Sequence, residues 1–232
     1  VRTARECAMP TSAAELLRAY DDQLRGEAEV ADAIRVERDG PLFLAWFEGG
    51  WGFVSYQSLA DYADANRGEQ LDRLIQRTIA KFAGDDQAQD FEWKTRGHDS
   101  PTDLGERLLK HGLVAEELET VMAGEAEALT VAPAVPAEVK LRRIGFDAEG
   151  NRQGLEATTA DVVAVQTMQT EVFGRPDHRT PAAYVRDIFA KADLMQLWVA
   201  EAAGEVVCAG RLEIVPGTEF AGLWGGSTRP EW

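Results

Sequence analysis

The sequence predicts a mixed-sheet α/β protein made of two consecutive units. Strand patterns, either alternating or continuously apolar, recur in both halves of the chain. Apolar residues at helical spacing separate these strands, and a connector of small residues and two prolines divides the halves. The length of 232 residues is enough for two domains of ordinary size. We therefore place a first unit at residues 9–127, a linker at 128–137 and a second unit at 138–232.

The first unit is predicted to be a helix, a small antiparallel meander and two further helices. Ser12 is placed to cap the first helix, which is expected to run to Arg25. Two or three strands follow, with glycine-containing turns between them, in the stretches 34–38, 41–47 and 51–56. The remaining expected elements are a helix over 68–82, a strand at 91–95, a helix introduced by Ser100 and stopped by Gly112, and a strand at 118–123.

The second unit begins afresh with a strand at 139–144. A capping box of Thr158 and Asp161 predicts the start of a helix that ends at Gly174. Thr180 and Pro181 predict the cap and first residue of a second helix. Three strands complete the unit, at 195–201, 206–215 and from Phe220 onward.

The last stretch of the chain joins two strands through a Pro-Gly turn. Pro216 and Gly217 suit the central positions of a type II turn, because proline fixes φ and glycine accepts a positive φ. Simple alternation places Trp224 and Gly226 on one face of the final strand and Gly225 on the other. Two glycines inside a strand indicate a bulge, or close approach by a ligand or another backbone.

The composition indicates a globular protein without a membrane span. The chain is 45% apolar and 28% charged, and no apolar run approaches the roughly 20 residues that cross a bilayer. The first residues lack a basic-then-apolar signal pattern, so a cytoplasmic location is expected. Residues 1–8, which precede Met9, are interpreted as a tag or as an upstream start.

The charge and the cysteines exclude several classes of partner. The net charge is −16, from 40 acidic and 24 basic side chains. This argues against nucleic acid, whose affinity comes largely from Lys and Arg on phosphates. It is compatible with a cationic or amine partner, but a role in solubility alone is the favoured interpretation. Cys7 and Cys208 form neither a disulfide framework nor a metal-binding pattern, so no metal is expected.

The element order of the second unit resembles the front half of the GCN5-related N-acetyltransferase superfamily. Residues 200–210, Ala-Glu-Ala-Ala-Gly-Glu-Val-Val-Cys-Ala-Gly, are similar to that family's second and third strands. Residues 223–232 are similar to its fourth strand and exit, ending in Arg229-Pro230-Glu231-Trp232. In the family, such an exit leads into an Arg-x-x-Gly-x-Gly/Ala loop, whose N–H groups hold the coenzyme A pyrophosphate at a helix N-terminus.

The resemblance implies a tandem bacterial acetyltransferase with a degenerate first half. The helix ending in His111-Gly112-Leu113 and the stretch from Glu117 to Met122 are similar to the back half of such a domain, but no Arg-x-x-Gly-x-Gly occurs there. In the second half, the coenzyme loop is expected immediately after Trp232. The second domain is therefore expected to be incomplete, and the chain as given to be inactive alone.

The implied reaction is transfer of an acetyl group from acetyl-CoA to a primary amine of a small molecule or peptide, without a metal. The implied coenzyme contacts come from the fourth strand, at Leu223, Trp224, Gly225 and Gly226. The candidate proton acceptors are Glu213 and Glu219, and the candidate acceptor-binding residues are Glu171 and His178. Each acidic residue is also compatible with a solvated surface position.

The alternative function is a non-catalytic binding or scaffold module with the same fold. This alternative is suggested by the coenzyme loop that the sequence lacks, and by the first half, which has no Arg-x-x-Gly-x-Gly motif. Members of this fold often pair, so a homodimer is possible. His98-Asp99 invites a catalytic interpretation, but we favour a loop that shapes the turn before the next helix, since no nucleophile has a visible claim to pair with it.

Overall fold

The computed structural model describes residues 12–64, 67–130, 134–147 and 149–232. The segment interpreted as a tag or upstream start, residues 1–8, lies outside the described residues. The chain divides into two units, residues 1–132 and 133–232.

The first unit combines a four-stranded sheet with three α-helices among the described residues. Its elements are α1 (Ala13–Leu24), β1 (Arg35–Asp39), β2 (Leu42–Phe47), β3 (Trp51–Tyr56), α2 (Gly68–Ala83), β4 (Asp90–Trp93) and α3 (Leu104–Lys110). The strand order follows the sequence. The first three strands form the predicted antiparallel meander, and β4 pairs with β3 in parallel.

The core of the first unit lies between the sheet and α2. Trp46 of β2 is completely buried, and its ring lies 4.8 Å from that of Phe82 in α2. Phe82 also stacks on Phe91 of β4, with ring centroids 4.6 Å apart. A side chain at Gly52 would lie only 2.6 Å from Phe82, so this strand position requires glycine.

The helix-end signals of the first unit are confirmed at two positions. Ser12 and Glu15 form a full capping box at the start of α1. At the end of α3, Gly112 has φ +96° and its N–H donates to Leu109 O, while Leu113 N–H donates to Leu108 O. This pair of hydrogen bonds is the predicted Schellman motif.

Two other predictions for the first unit are wrong. Helix α3 begins at Leu104 with Asp103 at the cap, rather than at Pro101 behind a Ser100 cap. Residues 118–123 form no strand, and the side chain of Leu118 is fully exposed. The alternation of residue types predicted that strand, but a strand also needs a partner for its backbone hydrogen bonds.

The second unit has the predicted order of strand, two helices and three strands. Its elements are β5 (Val139–Arg143), α4 (Leu155–Phe173), α5 (Pro181–Ala190), β6 (Met195–Ala202), β7 (Glu205–Ile214) and β8 (Ala221–Thr228). The sheet order is β5-β6-β7-β8, and every pair is antiparallel. Thr180 caps α5 as predicted, through a hydrogen bond from Ala183 N.

Helices α4 and α5 pack against one face of this sheet, which we call the helix side. Leu197 and Val199 of β6 lie on it, and they pair across to Arg211 and Ala209 of β7. The predicted start of α4 needs correction. The helix begins at Leu155, and Thr158 is buried inside its first turns, where its hydroxyl donates to Gly154 O.

Strand β8 carries the predicted irregularity at its glycine pair. The Pro-Gly turn before it is confirmed, with Gly217 at φ +79°. Ala209 pairs with Ser227 and Arg211 pairs with Trp224, so Gly225 and Gly226 together oppose a single residue of β7. This is a β-bulge, and it places Ser227 on the same face as Trp224, which corrects the simple alternation.

Candidate functional site

The bulge of β8 is held by a side chain of helix α4. Gln169 Nε2 donates to the carbonyl oxygen of Gly225 at 2.7 Å. Gly225 has φ +60°, a left-handed backbone that favours glycine, and a Cβ there would lie 3.0 Å from Gln169 Nε2, so a side chain at this position would press on the glutamine amide. A bulge interrupts the ladder between strands and leaves its extra residue unpaired, which frees main-chain groups for a ligand.

A small pocket lies beside this contact, between the two helices and the sheet. Its walls come from α4, α5, β6 and β7, and the lining residues are Val162, Val165, Gln166, Gln169, Tyr184, Leu197 and Arg211. Three of these side chains are apolar, and the other four offer two amides, a phenol and a guanidinium. The lining chemistry, apolar with a few polar groups, is that of small-molecule sites, but the cavity of about 10 Å³ has room for only about one water molecule.

Two of the polar lining groups, Tyr184 and Arg211, belong to one connected network. The hydroxyl of Tyr184 donates to Asp177 Oδ2 at 2.7 Å and accepts from Arg211 Nη1 at 2.6 Å. Arg211 Nε in turn lies 2.7 Å from Glu213 Oε1. Burial raises the pKa of Tyr184 to about 12, with the carboxylate of Asp177 adding to the effect. The phenol therefore stays protonated at neutral pH and holds Arg211 in place.

The loop between α4 and α5 is tied to the same network through Arg179. Its Nη2 lies 2.5 Å from Asp187 Oδ2, and its Cζ lies 4.3 Å from the ring centroid of Tyr184. Its carbonyl oxygen accepts from Gln166 Nε2 at 2.7 Å. Contacts to both helices thus define the conformation of this loop beside the pocket.

The candidate carboxylates and His178 occupy different parts of the second unit. Glu213 lies on the helix side next to Arg211. Glu219 lies exposed in the turn between β7 and β8. Glu171, near the end of α4, forms an ion pair of 2.5 Å with Arg229. His178 is exposed in the loop between α4 and α5. Of the three carboxylates, Glu213 is the one joined to the pocket network.

The four candidate coenzyme contacts all lie in β8, but on different faces. Trp224 is on the helix side opposite Arg211, half exposed, and its indole covers Gly222. Gly225 and Gly226 form the bulge. Leu223 points to the other face of the sheet and is 70% exposed. Three of the four candidates are therefore on the pocket face or in the bulge.

Several residues of this site were missed by sequence reasoning, although two signals were present. Gln166 and Gln169 interrupt the apolar stripe of α4, one turn apart. Arg211 is a charged residue at an inward position of a long, largely apolar strand. Ser227 gave no signal, yet it is buried beside the bulge, and no partner for its Oγ occurs in the described part of the chain.

Two further properties of the described residues concern metals and membranes. In this part of the chain, no group of three or more His, Cys, Asp or Glu side chains is arranged to hold a metal ion. None of the helices described is both long enough and apolar enough to cross a membrane.

Comparison with known proteins identifies the fold. No protein-family model and no curated protein matches the chain. Among solved structures, the chain is similar to a GCN5-related N-acetyltransferase from Kribbella flavida, with a TM-score of 0.51 and 12% sequence identity. The match covers 87% of this chain and 69% of that one. The chain therefore has a GCN5-related N-acetyltransferase fold, and at this identity the likeness concerns the fold alone.

Proposed function

We propose that the protein is an N-acetyltransferase that transfers an acetyl group from acetyl-CoA to a primary amine of a small molecule or peptide. The second unit carries the reaction, along β8 and its bulge. The single observation behind this proposal is the bulge of Gly225 and Gly226, which lies next to a pocket of suitable composition. The acetyltransferase fold makes this the first reaction to test.

The bulge offers main-chain N–H groups that can stabilise the charge on the thioester carbonyl oxygen. In the reaction, the amine nitrogen attacks the thioester carbonyl carbon and the C–S bond breaks. The sulfur takes up the proton that the amine loses, so coenzyme A departs as a thiol. Negative charge develops on the carbonyl oxygen, and N–H groups preorganised at a bulge stabilise it. Among the described strands, β8 pairs with β7 alone, so its other edge can accept the amide groups of the pantetheine arm.

The acidic groups around the site receive the amine and its proton. Glu213 is the first candidate for the proton acceptor, because it adjoins the pocket network, and Glu219 is the second. Glu171 and His178 are assigned to the acceptor side. The net charge of −16 favours the approach of a protonated amine.

The test is binding and turnover by the full-length natural protein. Calorimetry with acetyl-CoA is expected to show saturable binding, and a thiol-release assay with a panel of primary amines is expected to show turnover of at least one. Absence of binding would overturn the proposal. Binding without release of thiol for any amine would favour the non-catalytic module instead. Desulfo-coenzyme A, which lacks the thioester, serves as the binding control.

A further inference from the structure

Two glutamines of α4 connect the pocket to two separate segments. Gln166 Nε2 donates to Arg179 O in the loop between α4 and α5, and Gln169 Nε2 donates to Gly225 O in the bulge. Both distances are 2.7 Å, and both side chains line the pocket. Helix α4 therefore holds both the bulge of β8 and the loop between α4 and α5, through two neutral amides that lie one turn apart.

These amides are unlike their neighbours on the helix. Val162, Val165 and Met168 on the same side of α4 are buried and apolar. Gln166 and Gln169 lie half-buried at the edge of this apolar side, and each amide nitrogen donates to a main-chain carbonyl. An apolar side chain of similar length would fill the same space, so the specific contribution of each amide is a directed bond to one carbonyl.

The bond from Gln169 fixes more than the carbonyl it reaches. Gly225 C=O and Gly226 N–H belong to one planar trans peptide unit, in which these two groups point in opposite directions. Holding the oxygen toward α4 therefore fixes the Gly226 N–H in the direction away from α4 and the pocket beside it. Glycine at both positions leaves the unit free to rotate without such a bond.

We propose that Gln169 is a positioning residue for acyl transfer: by holding the Gly225 carbonyl oxygen, it keeps the Gly226 N–H directed away from α4, where it can donate to the acyl carbonyl of a coenzyme bound along β8. This inference rests on the proposed function. Gln166 has the corresponding role for the loop beside the acceptor. The two residues thus control different substrates, which separates their effects in kinetics.

The first test replaces the donor without changing the shape of the side chain. Gln169→Glu presents an ionised carboxylate, which only accepts hydrogen bonds and repels the Gly225 carbonyl. Gln169→Met removes the donor without adding charge. Both variants are expected to lower kcat about 10- to 100-fold, as misplacement of a reacting group by about 1 Å does, with little change in the KM of the amine. Gln166→Met is expected to raise the KM of the amine and to leave kcat within about threefold.

A matched control lies on β6. Gln196 carries the same amide, but its Oε1 accepts from Trp198 Nε1 at 3.0 Å, and a carboxylate keeps that contact. Gln196→Glu adds the same charge and is expected to have wild-type kinetics. The assays use acetyl-CoA and the amine that the wild-type protein turns over fastest.

A second readout does not depend on activity. Hydrogen–deuterium exchange of the peptide covering residues 221–228 is expected to accelerate in Gln169→Glu and Gln169→Met, and to stay unchanged in Gln196→Glu. A wild-type protein that fails to bind acetyl-CoA would overturn the proposed function, while exchange would still test the hydrogen bond. An active wild type with unchanged kcat in both Gln169 variants would overturn this inference alone. Unchanged exchange in them would contradict the structural basis of the role.

Discussion

At the scale of single residues, Gly225 combines a left-handed backbone with a close neighbour. A side chain there meets two costs: the positive φ, about 1–2 kcal/mol, and contact with Gln169 Nε2 at 3.0 Å. Gly225→Ala is therefore expected to lose about tenfold or more in kcat/KM, because the displaced amide releases the bulge. The measurement is thiol release together with urea unfolding.

Gly204 is the matched control for that variant. It has φ +84° in the turn between β6 and β7, and no atom lies within 4 Å of a Cβ built there. Gly204→Ala shares the backbone strain without the contact, so it is expected to lose stability and keep activity. Equal activity of both variants would contradict the assigned role of the bulge.

Tyr184 makes a separate prediction about stability at high pH. Burial raises the pKa of Tyr184 from the ordinary tyrosine value of 10.0 to about 12. Below pH 10 the phenol is protonated in both the folded and the unfolded chain, so its contribution is fully present. Between about pH 10 and 12 the unfolded chain loses the proton first, and stability falls by up to about 1.4 kcal/mol per pH unit.

The variant Tyr184→Phe removes this dependence. It is expected to be less stable at pH 7 by about 1–3 kcal/mol, because Asp177 and Arg211 lose a buried partner. Its unfolding free energy is also expected to fall less steeply than that of the wild type from pH 10 to 12. Chemical denaturation at a series of pH values measures both effects, and parallel slopes for the two proteins would contradict the raised pKa.

At the scale of elements, the loop before α3 has a structural role that the sequence left open. Asp99 is nearly buried, and it accepts hydrogen bonds from Arg25 Nη2 at 2.7 Å and Tyr56 hydroxyl at 2.5 Å. It therefore joins the end of α1 to β3. Neighbouring His98 is more exposed, and its Nε2 lies 2.9 Å from Asp21 Oδ2. These contacts support the interpretation of His98-Asp99 as loop chemistry.

Replacing these two residues separates a buried ion pair from an exposed one. Asp99→Ala is expected to destabilise the protein by about 3–5 kcal/mol, since it leaves the buried guanidinium of Arg25 without this partner. His98→Ala is expected to cost less than about 1 kcal/mol. Urea unfolding measures both. Similar losses for the two variants would mean that the contacts of Asp99 are not worth more than a surface pair.

Most elements with local signals could be predicted, although the cap signals at Ser100 and Thr158 did not mark the starts of α3 and α4. Contacts between distant residues could not be predicted. Caps at Ser12 and Thr180 and the stop at Gly112 depend on neighbours within a few positions, and the structure has all three. The glycine pair of β8 predicted an irregularity for the same reason. Its consequence, the turning of Ser227 to the helix side, depends on which strand carries the extra residue.

The candidate site shows the same limit. Gln166 and Gln169 donate hydrogen bonds to main-chain carbonyls 13 and 56 positions away. Because every residue has a main-chain carbonyl, the residue type does not indicate which carbonyl is bound. The spacing of the apolar residues in α4 therefore predicted the buried side of the helix, but not the hydrogen bonds that its two amides make. The predicted strand at 118–123 failed for a related reason, because a ladder partner cannot be read from the strand's own residues.

At the scale of the whole molecule, the charge of −16 acts in opposite senses on the two proposed substrates. The field of the protein attracts a protonated amine and repels acetyl-CoA, whose phosphates are anionic. Added salt screens both interactions, because the Debye length shortens from about 30 Å at 0.01 M to about 10 Å at 0.1 M. Raising the salt is therefore expected to increase the KM of the amine and to decrease the KM of acetyl-CoA.

Opposite shifts distinguish this effect from a general influence of salt on folding or activity. Steady-state assays at about 10, 50 and 200 mM potassium chloride measure both KM values in one series of increasing ionic strength. A neutral hydroxylamine acceptor, uncharged at the assay pH, serves as the control, and its KM is expected to stay constant. If both substrates shift in the same direction, local charges at the site outweigh the net charge, and the arginines next to the pocket, Arg179 and Arg211, become the residues to replace first.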